Sequence, residues 1–244
     1  MRTYLYNGSF ESFLTALAMA LKDGEDSALA MEGQAREDLF TEFVNAGSDP
    51  AAATAMRELF ERRGSAESWQ HARFAFLSET EDRDAALLAY ARLIKEKGAA
   101  ADNMLADDRV KRVHGLSASV GGEAHMFKGF VRFSELADKT LYAKIEPDHN
   151  ILPLLTGHFR ARLGAFNWII HDVKRGRAAL YFRGRLIFAP LTQQKALEFA
   201  GGEAAVQGLW RHFFKTAAIK ERTNPELQRR NVPLKYRRHL TEFE

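Results

Sequence analysis

The sequence predicts an α+β protein in which helices pack around small, mostly antiparallel sheets. Three observations carry this. Apolar residues recur at helical spacing through most of the first 110 positions. After residue 127 they alternate with period two in several short runs. Gly, Pro, Asn and Asp mark the changes between segments. At 244 residues with 46% apolar and 27% charged content, the chain suffices for one large domain or two small ones.

Arg2–Tyr6 is rich in β-formers and reads as a strand. Asn7-Gly8 turns the chain, and Ser9 caps a helix to about Lys22 that ends at Gly24, with Phe10, Phe13, Leu14 and Leu17 as its stripe. A strand follows at Ala28–Glu32. Helices are predicted after Pro50, over Trp69–Phe76, over Ala85–Ile94 and from Asp107-Asp108. Lys97–Asp108 reads as a linker between an acidic, mainly helical lobe (1–110) and a basic α+β lobe (111–244). Beyond it, Phe127–Phe133 and Leu141–Ile145 alternate like strands, separated by a turn near Ala137–Lys139. Ile151–Arg162 is helical. Phe166–His171, Ala178–Phe182 and Leu186–Phe188 read as strands, the last two joined at Gly184 as a hairpin. A helix from Glu203 to about Lys220 precedes a short one capped by Asn224-Pro225.

Charge divides unevenly. Residues 1–110 carry 12 Lys+Arg against 20 Asp+Glu (12 − 20 = −8), and residues 111–244 carry 23 against 12 (23 − 12 = +11), which the net +3 conceals. A basic half rich in aromatic rings suits a polyanion, because cations neutralise phosphates while ring faces stack on bases. With no cysteine, the chain has no disulfide, no Cys nucleophile, no thiolate zinc site and no thiolate ligand for an iron–sulfur cluster. The eight His, at 71, 114, 125, 149, 158, 171, 212 and 239, form no H-x-x-x-H pair, so neither metal nor other cofactor is expected. No run approaches the roughly 20 apolar residues of a membrane helix. The opening MRTYLYNGSF lacks a signal-peptide pattern, so a cytoplasmic protein with no membrane partner is expected.

The candidate site residues lie in the basic half. On a Phe127–Phe133 strand, Lys128, Phe130 and Arg132 share one face, interleaving charge with a ring as a single-strand-binding surface does. His158 and Arg162 lie four apart on one helix face, where the guanidinium disfavours a protonated imidazole. Trp168 and Asp172 face one way on their strand and His171 the other, so His171 and Asp172 are not a dyad as written. Asp172 is the only acid between residues 149 and 197, set among Arg160, Arg162, Lys174, Arg175 and Arg177. His158, His171 and Asp172 are the acid–base candidates. Lys128, Phe130, Arg132, Arg162, Trp168, Lys174 and Arg175, with Arg222, Arg229 and Arg230 of the C-terminal segment, are the nucleic-acid-binding candidates. The site is expected where the Lys128/Arg132 strand, the His158/Arg162 helix and the Asp172–Arg175 strand end meet.

Tyr6–Phe13 (YNGSFESF), His125–Phe133 (HMFKGFVRF), Ile145–His149 (IEPDH), Leu152–Phe159 (LPLLTGHF), Trp168–Arg175 (WIIHDVKR), Arg222–Arg229 (RTNPELQR) and Val232–Tyr236 (VPLKY) are landmarks running almost the whole chain. Together they resemble a family of bacterial proteins of unknown reaction assigned to DNA metabolism and repair. Members are encoded beside a radical-SAM protein, and a related domain is fused to uracil-DNA-glycosylase-like domains. The resemblance implies DNA as partner, and a radical-SAM protein beside it. It supplies no reaction and no catalytic residue, and it says least over residues 35–105. Two alternatives stay open: an enzyme acting on a base or nucleotide, and an adaptor whose acidic half docks a basic partner.

Overall fold

The computed structural model describes residues 1–35, 40–192 and 197–243, without the Lys220 side chain. The chain divides into two compact units, Met1–Gly121 and Gly122–Glu244.

In the first unit, β1 (Arg2–Tyr6) is the middle strand of a three-stranded sheet between β2 (Ser27–Met31) and β3 (Glu42–Asn45). Both pairings are parallel, whereas the sequence predicts mostly antiparallel sheets. The helix α1 (Phe10–Asp23) is the reason for the first pairing: it returns the chain to the starting edge, as a parallel crossover requires. The Ser9 hydroxyl accepts the Ser12 N–H at 3.2 Å and Gly24, at φ +94°, ends the helix. β3, which the residue pattern does not predict, is four residues long and fully buried at none of them. Around the sheet pack α2 (Pro50–Glu58), a π-helical turn (Leu59–Gly64), α3 (Ala66–Phe76) and α4 (Arg83–Lys97). Their core joins Phe13, Leu17, Phe60, Leu87, Tyr90 and Ile94. Lys97–Asp108 is folded: Gly98–Asn103 is a 3-10 helix that buries Ala101.

The main correction concerns α5 (Asp108–Phe130). Residues 127–130 end a 23-residue helix and do not begin a strand. Val110, Val113, Leu116, Val120, Ala124 and Phe127 are all buried at spacings of three and four, so the helical stripe continues through Gly121-Gly122. The alternation in FKGFVRF is a seven-residue coincidence whose first four residues belong to that longer period. Lys128, Phe130 and Arg132 therefore do not share a strand face.

The second unit holds a five-stranded sheet ordered β4 (Ser134–Glu135), β5 (Leu141–Ile145), β6 (Trp168–Asp172), β7 (Arg177–Phe182), β8 (Arg185–Pro190). Only β5 and β6 are parallel, joined through α6 (Leu152–Arg162); the other pairs are antiparallel. Arg183 and Gly184, at φ +48° and +82°, close the β7–β8 hairpin with the two positive φ angles its tight turn needs. Then come α7 (Glu203–Thr216) and α8 (Pro225–Asn231), where Asn224 Oδ1 accepts the Leu227 N–H at 2.9 Å. No helix among the described residues is long and apolar enough to cross a membrane.

Candidate nucleic-acid interface

Phe166 lies two residues before Trp168, which pairs with Tyr181 in the next strand. Asn167 Oδ1 accepts the Arg183 N–H at 3.1 Å, tying the entry of β6 to the hairpin turn. A Cβ on Gly164 would lie 3.9 Å from the Tyr181 hydroxyl, so the end of α6 reaches the same edge. One end of the sheet thus gathers Arg160, Arg162, Phe166, Phe182, Arg183 and Arg185, all exposed. The Arg183 guanidinium lies 5.1 Å from the centre of the Phe182 ring. Phe166 and Phe182 are 53% and 50% exposed, open to a stacking partner. The four guanidinium groups make no ion pair with any described residue, and the only acid between 149 and 197, Asp172, is fully buried.

Of the residues singled out from sequence, Arg162 belongs to this sheet end. Trp168 does not: it is wholly buried, with its ring 5.2 Å from that of Tyr181, and cannot stack on a base. Asp172 and Arg175 sit at the opposite end of β6. Arg175 donates to Asp172 Oδ2 at 2.7 Å and to the carbonyls of Pro147 and Asp148, a buried pair holding a turn. Burial pushes the Asp172 carboxyl up, against the pull of that guanidinium. Lys174 is exposed and reaches the Asp148 carbonyl at 3.3 Å. Arg132 donates to Glu242 at 2.6 and 3.1 Å and lies over Trp210, while Phe130 packs between Phe127 and Tyr236. Lys128 is part-buried, its charge acting on His158. Arg222, Arg229 and Arg230 are exposed around α8, and Arg229 donates to the Pro225 carbonyl at 3.2 Å. Lys128 thus approaches the His158/Arg162 helix, but the Asp172–Arg175 strand end lies apart, so the three segments do not form one site.

The acid–base candidates are equally dispersed. His171 is buried and shares a 2.8 Å hydrogen bond with the Tyr142 hydroxyl, and burial lowers its pKa. Burial also lowers that of His158, assisted by Lys128 and Arg162, as the helix spacing predicts. Its Nε2 has no hydrogen-bond partner among the described residues. A cleft of about 450 Å³ is lined by Arg132, Tyr142, Lys144, Glu203, Gln207 and His239. Elsewhere in the second unit, buried Glu123 accepts the N–H groups of Asp148 and His149 at 2.7 and 2.8 Å and the Tyr236 hydroxyl. The joining of Glu123 to Tyr236 over 113 positions, and the cleft lining of Tyr142 and Lys144, were missed in sequence because nothing local distinguishes them. In the first unit, His71, Asp102 and His114 also converge, which no spacing rule shows.

The fold and this geometry define a two-unit α+β protein with an unanswered cationic, aromatic sheet end. Residues 81–242 match the family DUF4130, a domain of unknown function, and the chain belongs to that family. No curated protein and no solved structure matches the chain.

Proposed function

We propose that the second unit binds DNA through the sheet end formed by Arg160, Arg162, Phe166, Phe182, Arg183 and Arg185, in a protein serving DNA metabolism or repair. The observation that carries this is the absence of any exposed carboxylate among the described residues from 149 to 192, on a surface presenting four guanidinium groups and two exposed rings. Guanidinium forks bind phosphate oxygens in pairs, and the rings offer stacking faces to unpaired bases. The resemblance of the landmark motifs to DNA-repair-associated proteins supports the same partner. A radical-SAM partner fits a chain with no cysteine, since any cluster chemistry would need thiolates from elsewhere.

The test is fluorescence anisotropy of labelled single- and double-stranded oligonucleotides over a range of salt. Four phosphate contacts give a log–log slope of about −2.8 on single strands and −3.6 on duplex. Absence of binding at low salt removes the proposal. A second reading, a pocket for an extruded base, is favoured by the cleft, whose volume lies within the range of small-molecule sites. On that reading Tyr142, backed by buried His171, faces the base, and Tyr142→Phe slows any base-directed reaction while leaving DNA affinity intact.

A further inference from the structure

We propose that His71, Asp102 and His114 bind one divalent first-row transition ion, zinc being the ion their donors suit best. This is independent of DNA binding and concerns the first unit alone. The three side chains come from three separate elements: α3, the Gly98–Asn103 turn and α5. One ligand atom from each lies within 4.8 Å of the others, and no other such group of His, Asp or Glu occurs among the described residues.

Both imidazoles aim a ring nitrogen at the same carboxylate oxygen. His71 Nδ1 lies 3.3 Å and His114 Nε2 2.8 Å from Asp102 Oδ1. Donors around a tetrahedral zinc at its usual bond lengths stand about 3.3–3.5 Å apart. The first spacing fits as it stands, and the second needs an opening of about half an ångström. The hydrogen-bonded alternative is crowded: the Tyr90 hydroxyl also donates to Asp102 Oδ1, giving one oxygen three donors. A cation replaces two of those donors and draws on the lone pairs of both rings.

The surroundings favour that exchange. The ring centres are 3.9 Å apart, so both imidazoles border the same small volume beside the carboxylate. The neutral ring is the form that ligates metal. Tyr90, wholly buried, fixes the carboxylate from behind, the supporting contact that metal ligands characteristically have. Burial pushes the Asp102 carboxyl up, but hydrogen bonds from Tyr90, His114 and His71 more than offset this, keeping it ionised. The His71 and His114 side chains are 27% and 23% exposed, so an ion can enter and water can take the fourth position. Three protein ligands with one open position is the pattern of exchangeable and catalytic zinc sites.

The test titrates the full chain, stripped with chelator, with Co²⁺ alone, following visible d–d absorption and then its bleaching by Zn²⁺. One equivalent is expected. His71→Ala and His114→Ala should each weaken uptake at least 100-fold, Tyr90→Phe about tenfold, and His158→Ala not at all. Imidazole ¹⁵N spectra of the unmutated chain decide the matter even where a variant fails to fold. Zinc should move His71 Nδ1 and His114 Nε2 and leave the other six rings in place. No uptake by the unmutated chain, shifts at other histidines, or uptake retained by a folded His71→Ala/His114→Ala double variant overturns the site.

Discussion

The two units treat their arginines differently. In the first, most described guanidinium groups are answered: Arg2 by Asp23 and Glu42, Arg83 by Asp84, Arg109 by Asp107, and Arg112 by Asp82. In the second, the answered ones hold the structure together, Arg132 on Glu242 and Arg175 on Asp172, while Arg160, Arg162, Arg183 and Arg185 face solvent at one sheet end. Net charge therefore locates the basic half without locating its binding surface. A guanidinium already paired with a carboxylate has no surplus charge for a phosphate, so the proposed interface is where pairing stops.

The sharpest way to break this division is to remove a cation of each kind. Arg175→Ala leaves a buried carboxylate unpaired and should cost about 3–5 kcal/mol in denaturant unfolding of the second unit. Arg112→Ala opens an exposed pair in the first unit and should cost less than about 1 kcal/mol. Equal costs would show that burial does not separate structural from available arginines.

Next in size is the sheet end itself. Changing Arg160, Arg162, Arg183 and Arg185 together to Ala should flatten the salt dependence toward zero slope and lower DNA affinity by roughly 100-fold at low salt. The unfolding midpoint should hold, since none of the four makes an ion pair among the described residues. A folded variant with unchanged affinity moves the interface to Arg222, Arg229 and Arg230. Phe166→Ala and Phe182→Ala sharpen the picture further. Each should cost about 1–3 kcal/mol on single strands and little on duplex, whose bases are already stacked.

What was legible in the sequence follows the range of the forces involved. The Ser9 cap, the Gly24 stop, the Gly184 hairpin and the Asn224 cap are contacts within a few residues, and each stands where local chemistry put it. The α5 helix was misread at its end because its stripe runs over six positions from Val110 to Phe127, longer than the window in which FKGFVRF alternates. Parallel pairing in the first sheet was missed because strand direction depends on where a crossover helix returns the chain. For the site, Arg162 and a stretch holding a single acid were visible in the residue order. The core role of Trp168 and the joining of His71 to Asp102 across 31 positions were not.

The smallest predicted effect separates stability from binding by pH. Burial lowers the pKa of both His158 and His171 below the ordinary 6.5; Lys128 and Arg162 add to it at His158, while at His171 a backbone hydrogen bond with Leu191 and the Asp172 charge oppose it in part. The unfolded chain then binds more protons than the folded one as pH falls through about 6.5, so stability drops on acidification and is regained above it. The slope is at most about 1.4 kcal/mol per pH unit for each histidine. His171→Gln should flatten part of it in the second unit, whatever the variant's own stability. The four guanidinium groups proposed to meet phosphate at the sheet end do not titrate in this range. DNA affinity at fixed salt should accordingly stay level between about pH 6 and 8 while the unfolding midpoint moves. An affinity that follows the midpoint downward would place a titrating histidine in the interface, with His158, one turn from Arg162 on α6, the first to be changed.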